Sequence, residues 1–315
     1  MGDWLPSATA VTLRRRADLL AAMRHFFEQR DVLEVDVPLL GVTGVTEFNI
    51  QGLSTATNGR IAYLQTSPEY YMKRLLASGL GAIYNLGKVF RDGEQGRRHH
   101  TEFTLLEWYR PGWDEHQLMA EVAELLVAAG FARASTPDRH RYGYLFTSVT
   151  GCDPHRADLA QLQQLAAQYA GDNWAQAERS VCLDLIFSLA VEPQLPKGLV
   201  FVHDYPACQC ALATLGEDQS GDLVARRFEA FVDGTELANG YFELTDPVEQ
   251  RRRFDADNRL RQAHKLPIVT PDENLLAALA AGLPVCSGVA LGVDRLLMAL
   301  LGLERIQQAV PFGDV

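Results

Sequence analysis

Five cysteines (Cys152, Cys182, Cys208, Cys210 and Cys286) and no C-x-x-C pair leave this sequence without a disulfide framework or a zinc site. Cys208 and Cys210 are two apart, so on a strand they would share a face as small packing residues. Long apolar runs are also missing. The most apolar stretch, Leu275 to Val293, is interrupted by Gly282, Pro284, Ser287 and Gly288. A spanning helix needs about 20 apolar residues in a row, so this stretch reads as buried core. The first residues, MGDWLPSATAV, have no charged segment leading into an apolar one, and Pro6 stands where a myristoylation signal needs Ser or Thr. The expectation is a cytoplasmic protein with no membrane contact.

Positive charge is scarce as well. Lys and Arg total 29 against 40 Asp and Glu, for a formal net charge of −11. Nucleic-acid binders usually present a basic stripe, because phosphate contacts dominate their affinity. No stable tRNA binding is therefore expected. Repeats and low-complexity tracts are absent. What is present is 47% apolar residues over 315 positions, enough to bury one large core or two modest ones. We read residues 1–315 as a single domain.

Leu13, Ala17, Leu20 and Phe27 recur at helical spacing within Val11–Gln29, with Arg14, Arg15, Arg16 and Arg24 on other faces. Val32–Leu40, VLEVDVPLL, reads as an edge strand ending near Pro38. Such an edge is a candidate dimer contact. Ile61–Leu64 and Ala82–Leu86 read as strands around a helix over Pro68–Ala77. Val89–Arg91 and Phe103–Tyr109 read as strands joined by a polar loop, followed by a helix over Glu115–Ala129. Residues 137–196 read as a helical insertion, or a cap over the site. Strands return at Leu199–His203, Cys208–Leu215 and Val224–Val232. A last strand, Gly288–Leu291, runs into a helix near Asp294. Hairpins outnumber β–α–β units, which makes the expected class α+β, a mostly antiparallel sheet flanked by helices.

Four stretches carry chemistry. In VFRDGEQGRRHHTEFTLLEWY, Val89–Tyr109, basic residues surround a loop with two glycines, which suits a polyphosphate clamp or a solvated hairpin. In GTELANGYFELTDPVEQRRRF, Glu236 and Glu243 are seven apart and would face opposite ways on an unbroken strand. A break at Asn239-Gly240 would bring both carboxylates to one side, where they could serve Mg²⁺ bound to phosphates. In SGVALGVDRLLMAL, a glycine-punctuated strand feeds a helix whose first turn holds Asp294 and Arg295, a place that favours phosphate. In TSPEYYMKRLL, Thr66 or Ser67 caps a helix starting at Pro68, with Glu69 in its first turn. The series Arg251, Arg252, Arg253, Arg259 and Arg261 lies on a helix, either docking an acidic partner or simply solvated.

Taken together, VLEVDVPLL, the Val89–Tyr109 stretch and GVALGVDRLL resemble motifs 1, 2 and 3 of class II aminoacyl-tRNA synthetases, and ELANGYFELTDPVEQRRRF resembles the lysyl subgroup. The likeness runs from about Leu13 to Ile306. Motif 1 begins about thirty residues in, leaving no room before it for an anticodon-binding domain. With FTLLEWYRPGWD and ELANGYFEL, this resembles the elongation factor P–(R)-β-lysine ligase family. The resemblance implies a homodimer that uses ATP and Mg²⁺ to adenylate (R)-β-lysine, or lysine, and attach it to a lysine of elongation factor P. It implies Arg91 on the α-phosphate and His100 near the triphosphate. Asp92, Gly93, Glu236, Leu237, Gly292 and Arg295 would sit around ATP, with Glu236 and Glu243 on the metal. Ser67, Pro68, Glu69, Tyr109, Glu243 and Ala290 would line the amino-acid pocket; lysyl-tRNA synthetases usually carry glycine at the place of Ala290. Two departures stand out: Arg91-Asp92-Gly93 replaces Arg-Asn-Glu, with Glu94 positioned to take over the missing contact, and His99-His100-Thr101-Glu102-Phe103 replaces His-Asn-Pro-Glu-Phe. A lysine-activating paralogue with another acceptor, tRNA or a small molecule, and a regulatory module without turnover remain open.

Overall fold

The computed structural model describes residues 4–174 and 176–313. The reading of the N-terminal stretch as leaderless includes residues 1–3, which lie outside the described residues. The chain divides into two compact units. One comprises Met1–Trp113, Ala128–Phe131 and Leu244–Val315; the other comprises Asp114–Val127 and Ala132–Glu243.

In the first unit, helix α1 (Ala10–Glu28) starts where the Thr9 hydroxyl accepts the amide of Thr12 at 3.1 Å. Leu19, Met23, Phe26 and Phe27 turn inward, and so does Arg16, which its neighbours' pattern assigns to solvent. The expected strand over Val32–Leu40 is reduced to β1 (Leu33–Glu34) and, past Pro38, β2 (Leu40–Gly41). Beyond Val35 the ladder stops because the Asn85 side-chain amide, at 2.8 Å, takes the Val35 carbonyl. Pro38 then has no N–H with which to resume it. β2 instead joins a small separate sheet with β3 (Ser54–Thr57) and β4 (Arg60–Leu64).

Helix α2 (Glu69–Ala77) begins one residue later than its sequence suggests, with Pro68 as its cap residue and the Ser67 hydroxyl accepting its first amide. Two expected strands merge into β5 (Ile83–Phe90), which runs antiparallel to β6 (Glu102–Pro111) and parallel to β1.

The second unit opens with α3 (Glu115–Ala128), whose last residue belongs to the first unit. Residues 137–196 hold α4 (Tyr142–Thr150), α5 (Leu159–Ala170) and α6 (Arg179–Ile186), but also a strand, β7 (Asp138–Arg141), paired in parallel with β8 (Leu199–Pro206). No strand spans Cys208–Leu215. Ala207–Gln209 form a 3₁₀ turn, Ala211 takes a left-handed φ of 43°, and only Leu215 enters a strand, β9 (Leu215–Glu217). The Gln209 carbonyl accepts from the Arg227 guanidinium at 2.9 Å rather than from a neighbouring strand. Cys208 and Cys210 therefore share no strand face. β10 (Leu223–Val232) pairs antiparallel with β8, β9 and β11 (Thr235–Phe242). Tyr142, Phe146, Phe187, Tyr205 and Phe231 fill this unit's core, with Tyr142 stacked on Phe187 at 4.8 Å.

The chain then re-enters the first unit through α7 (Pro247–Ala263), α8 (Glu273–Gly282), β12 (Cys286–Gly292) and α9 (Val293–Leu301). Most of the arginine series on α7 is engaged within the unit. Arg251 pairs with Glu273, Arg252 and Arg253 pair with Glu249, and Arg253 and Arg261 are buried. β12 lies antiparallel to β6, and α9 ends at Gly302, whose φ of 64° suits a residue without Cβ. Phe27 stacks on Tyr84 at 4.5 Å and meets Trp108 edge-on at 5.3 Å, tying α1 to the sheet. In each unit the sheet is mostly antiparallel with a single parallel pair. Among the described residues no helix is long and apolar enough to cross a membrane.

Candidate active site

Arginines from two elements of the first unit stand ready for anions. Arg91 leaves the end of β5 with its guanidinium over the Phe103 ring at 5.2 Å, its Nε donating to the Thr66 carbonyl at 3.3 Å. Glu94 lies 3.5 Å from it, a loose pair that a stronger anion can displace. Arg295 sits in the first turn of α9, where helix N–H groups also favour negative charge. Its Nε donates to the Arg98 carbonyl at 3.3 Å, and its Nη2 lies 2.7 Å from His99 Nε2.

This contact singles out His99. His100 turns back on its own strand, its Nδ1 2.7 Å from the Glu102 carbonyl. Asp92 accepts the Gly93 amide at 2.9 Å, and Gly93 holds a φ of 75° with open space around its missing side chain. Only a residue at ease in the left-handed region suits that turn. Gly292 caps α9 without a side-chain bond.

A second group surrounds buried acids of the same unit. The Ser67 hydroxyl accepts the Glu69 amide at 3.1 Å, so it serves the start of α2 directly behind Pro68. Glu69 receives the Lys73 ammonium at 2.6 Å, and the Lys73 side chain is 1% exposed against 16% for Glu69. The carboxylate is thus half committed to an internal cation. The Tyr109 hydroxyl donates to Glu107 at 2.7 Å, and both residues are buried. Ala290 of β12 is the register partner of Glu107, so its methyl lies beside that acid.

The second unit contributes an acidic strand face. Arg227, Glu229 and Phe231 alternate onto one side of β10, opposite Tyr241, Asn239 and Glu236. The ladder slips between Ala230 and Phe231, leaving Leu237 as the extra residue. The break falls there and not at Asn239-Gly240, because both of those pair regularly with β10. The bulge places Glu236 on the face of Asn239 and Tyr241, and one more alternation carries buried Glu243 to it. Leu237 itself is buried.

Glu229 accepts from Arg227 at 2.5 Å, and its side chain is 18% exposed. Burial lifts its carboxyl to about 7; the Arg227 guanidinium opposes that and Glu236 adds to it. Among the described residues no group of three or more His, Cys, Asp or Glu is arranged to hold a metal ion. Two neighbouring carboxylates nevertheless fit Mg²⁺ that arrives with most of its ligands on phosphate.

Residues 3–315 match the family described as tRNA synthetases class II (D, K and N). This chain belongs to that family. Within the class II synthetases it is 44% identical over 322 residues to the elongation factor P–(R)-β-lysine ligase of Edwardsiella ictaluri, covering 99% of this chain and 98% of the relative. The ligase of the same name from Proteus mirabilis is 45% identical over 323 residues, covering 99% and 98%. That of Vibrio cholerae is 43% identical over 319 residues, covering 98% and 97%.

The sequence did not single out Lys73, Glu107 or Glu229, and gave His99 only as one member of the basic loop. Glu107 and Glu229 carried a signal, each being a lone acid inside a mostly apolar run, FTLLEWY and FEAFV. Buried acids in strands need a partner or a task. Lys73 lies four residues after Glu69, a helical pair visible in the spacing. His99 beside His100 offered nothing to choose between them.

Proposed function

We propose that this chain activates (R)-β-lysine with ATP and transfers the β-lysyl group to a lysine side chain of elongation factor P. The observation that carries this reading is the likeness over nearly the whole length of both chains to ligases of that name. The amino-acid carboxylate attacks the α-phosphorus of ATP and pyrophosphate leaves. The amine of the acceptor lysine, having lost a proton, then attacks the acyl carbon, and AMP leaves. A carboxylate with a pKa near ~4 is already ionised at neutral pH, so the first step needs no base. It needs alignment and neutralised charge.

Arg91 and Arg295 supply that neutralisation, Arg91 toward the α-phosphate and Arg295 toward the outer phosphates. His99 takes the loop position next to the triphosphate in preference to His100, since it already meets Arg295. Asp92, Gly93, Leu237 and Gly292 shape the nucleotide's surroundings through backbone and turn. Mg²⁺, when bound, would withdraw charge from the phosphates, with Glu236 and Glu229 the first carboxylates to hold it and Glu243 the third candidate. Glu69, Glu107 and Glu243 receive the substrate's ammonium groups; Ser67, Pro68, Tyr109 and Ala290 set the walls around them.

The working form is a cytoplasmic homodimer joined through the first strand, where Leu33 is 52% exposed. ATP–pyrophosphate exchange with (R)-β-lysine and L-α-lysine side by side tests the first step, and labelling of purified elongation factor P tests the second. Exchange favouring (R)-β-lysine, followed by labelled factor, is the expected result. Charging of lysine tRNA with the factor unlabelled would make the chain a paralogue with another acceptor. No exchange with either amino acid would leave a regulatory module.

A further inference from the structure

Arg16 has no place in the reading above, yet it is buried and bonded to three partners. It rises from the middle of α1 into the interior of the first unit. Its Nη1 donates to Asp294 at 2.5 Å and to the Ala309 carbonyl at 3.3 Å, and its Nη2 donates to the Thr104 hydroxyl at 2.6 Å. The second oxygen of Asp294 accepts the Thr104 amide at 2.7 Å. The side chains of Arg16 and Asp294 are 9% and 2% exposed. α1, β6 and α9, far apart in sequence, thus meet at one charged bond set.

We propose that Arg16 is a positioning residue for nucleotide binding, holding Arg295 and Arg91 in place from behind. This rests on the assignment of those two arginines to the phosphates. Asp294 and Arg295 are consecutive in the first turn of α9, so about 100° of helix rotation separates their side chains. With both Asp294 oxygens engaged, the turn cannot rotate, and Arg295 is fixed facing the loop of Arg98 and His99. Thr104 follows Phe103, whose ring carries the Arg91 guanidinium. The same anchor therefore bears on both arginines. The bonds of this anchor run to Thr104 and Ala309, while on the amino-acid side Tyr109 donates to Glu107 and Lys73 to Glu69.

Removing Arg16 alone would bury an unpaired carboxylate, a change that commonly unfolds proteins. The test is therefore the neutral pair Arg16→Met with Asp294→Asn, beside Arg16→Lys and Arg295→Ala. Stability is followed by denaturant melts. Binding of a non-hydrolysable ATP analogue is measured by calorimetry, and KM for ATP and for amino acid by pyrophosphate exchange. The folded pair variant should bind the analogue about ten- to a hundred-fold more weakly, the scale of a displaced reacting group. Its KM for ATP should rise alike and its amino-acid KM stay within about twofold. Arg16→Lys keeps the charge but loses the second N–H prong, and should weaken the analogue several-fold; it answers the question if the pair does not fold. Normal ATP binding in the folded pair variant, or in Arg16→Lys, makes Arg16 a core brace and overturns the inference. Normal binding in Arg295→Ala as well overturns the assignment on which it rests, and the inference with it.

Discussion

Two faces, one in each unit, handle charge in different ways. In the first, cations and anions alternate at short range: Arg16 with Asp294, Lys73 with Glu69, Arg91 with Glu94. In the second, the face shared by β10 and β11 carries Glu229, Glu236 and Glu243, with Arg227 paired to Glu229. Burying like charges together costs stability unless a counter-ion arrives, whereas paired charges hold a fixed geometry with or without ligand. The paired charges of the first unit are thus held in pre-set positions. The second face instead sets acids near enough for Glu236 to raise the proton affinity of Glu229.

The sharpest way to break this contrast is Arg295→Ala. Because Asp294, not Arg295, carries the bonds that seat α9, the variant should melt within about 1 kcal/mol of the parent. Its pyrophosphate exchange should nevertheless drop by about 10²–10³, the usual cost of one lost contact to developing charge. Near-normal exchange in a well-folded variant would falsify the role given to Arg295. A large loss of stability would instead show that the residue belongs to the brace.

A smaller effect is expected at Ala290, whose methyl stands beside Glu107 in the register of β12 and β6. α- and β-lysine differ in where one amine lies relative to the carboxylate, and Glu107 is a buried acid able to receive it. Ala290→Gly removes one methyl of wall and should raise kcat/KM for L-α-lysine relative to (R)-β-lysine. One such contact is worth ~1–3 kcal/mol, or about ten- to two-hundred-fold. An unchanged ratio at preserved stability makes Ala290 a packing residue between strand and helix.

The same contrast explains what could be read from the sequence. The parts of the first unit proposed to face phosphate are local: Arg91 with its glycine loop and Arg295 at a strand-to-helix turn announce themselves within a few residues. So do α1, α2 and β12, whose periodicity and turn residues agree with their surroundings. Arg16 escaped because its partners lie 88 and 278 residues away, and nothing in helical spacing separates it from Arg14 or Arg15. The strand over Val32–Leu40 failed for a tertiary reason, a side-chain amide from Asn85 replacing the backbone partner. In the second unit, the acidic face depends on a bulge at Leu237, and parity along the chain alone misplaced the break at Asn239-Gly240. Glu229 lay outside the recognised motif although its register partner, Asn239, lay within it.

The subtlest test concerns Glu229 in the absence of nucleotide and divalent cation. Its carboxyl is held at about 7 in the folded protein, chiefly by burial, against ~4.5 when unfolded. Between those values the folded state keeps a proton that the unfolded chain has released. Stability on this account is complete below about pH 4.5, falls as pH rises toward 7, and is level above it. Glu229→Gln does not titrate, so the variant should gain on the parent across that window. A tenfold difference in proton affinity is worth about 1.4 kcal/mol, and the gap should widen by at least about 1 kcal/mol from pH 5 to 8. The offset at any one pH is a poorer measure, because glutamine also weakens the bond from Arg227. Urea melts of both proteins in chelator at a series of pH values supply the comparison. A constant gap would mean that Glu229 stays ionised beside Arg227 across that window, its charge balanced as in the pairs of the first unit.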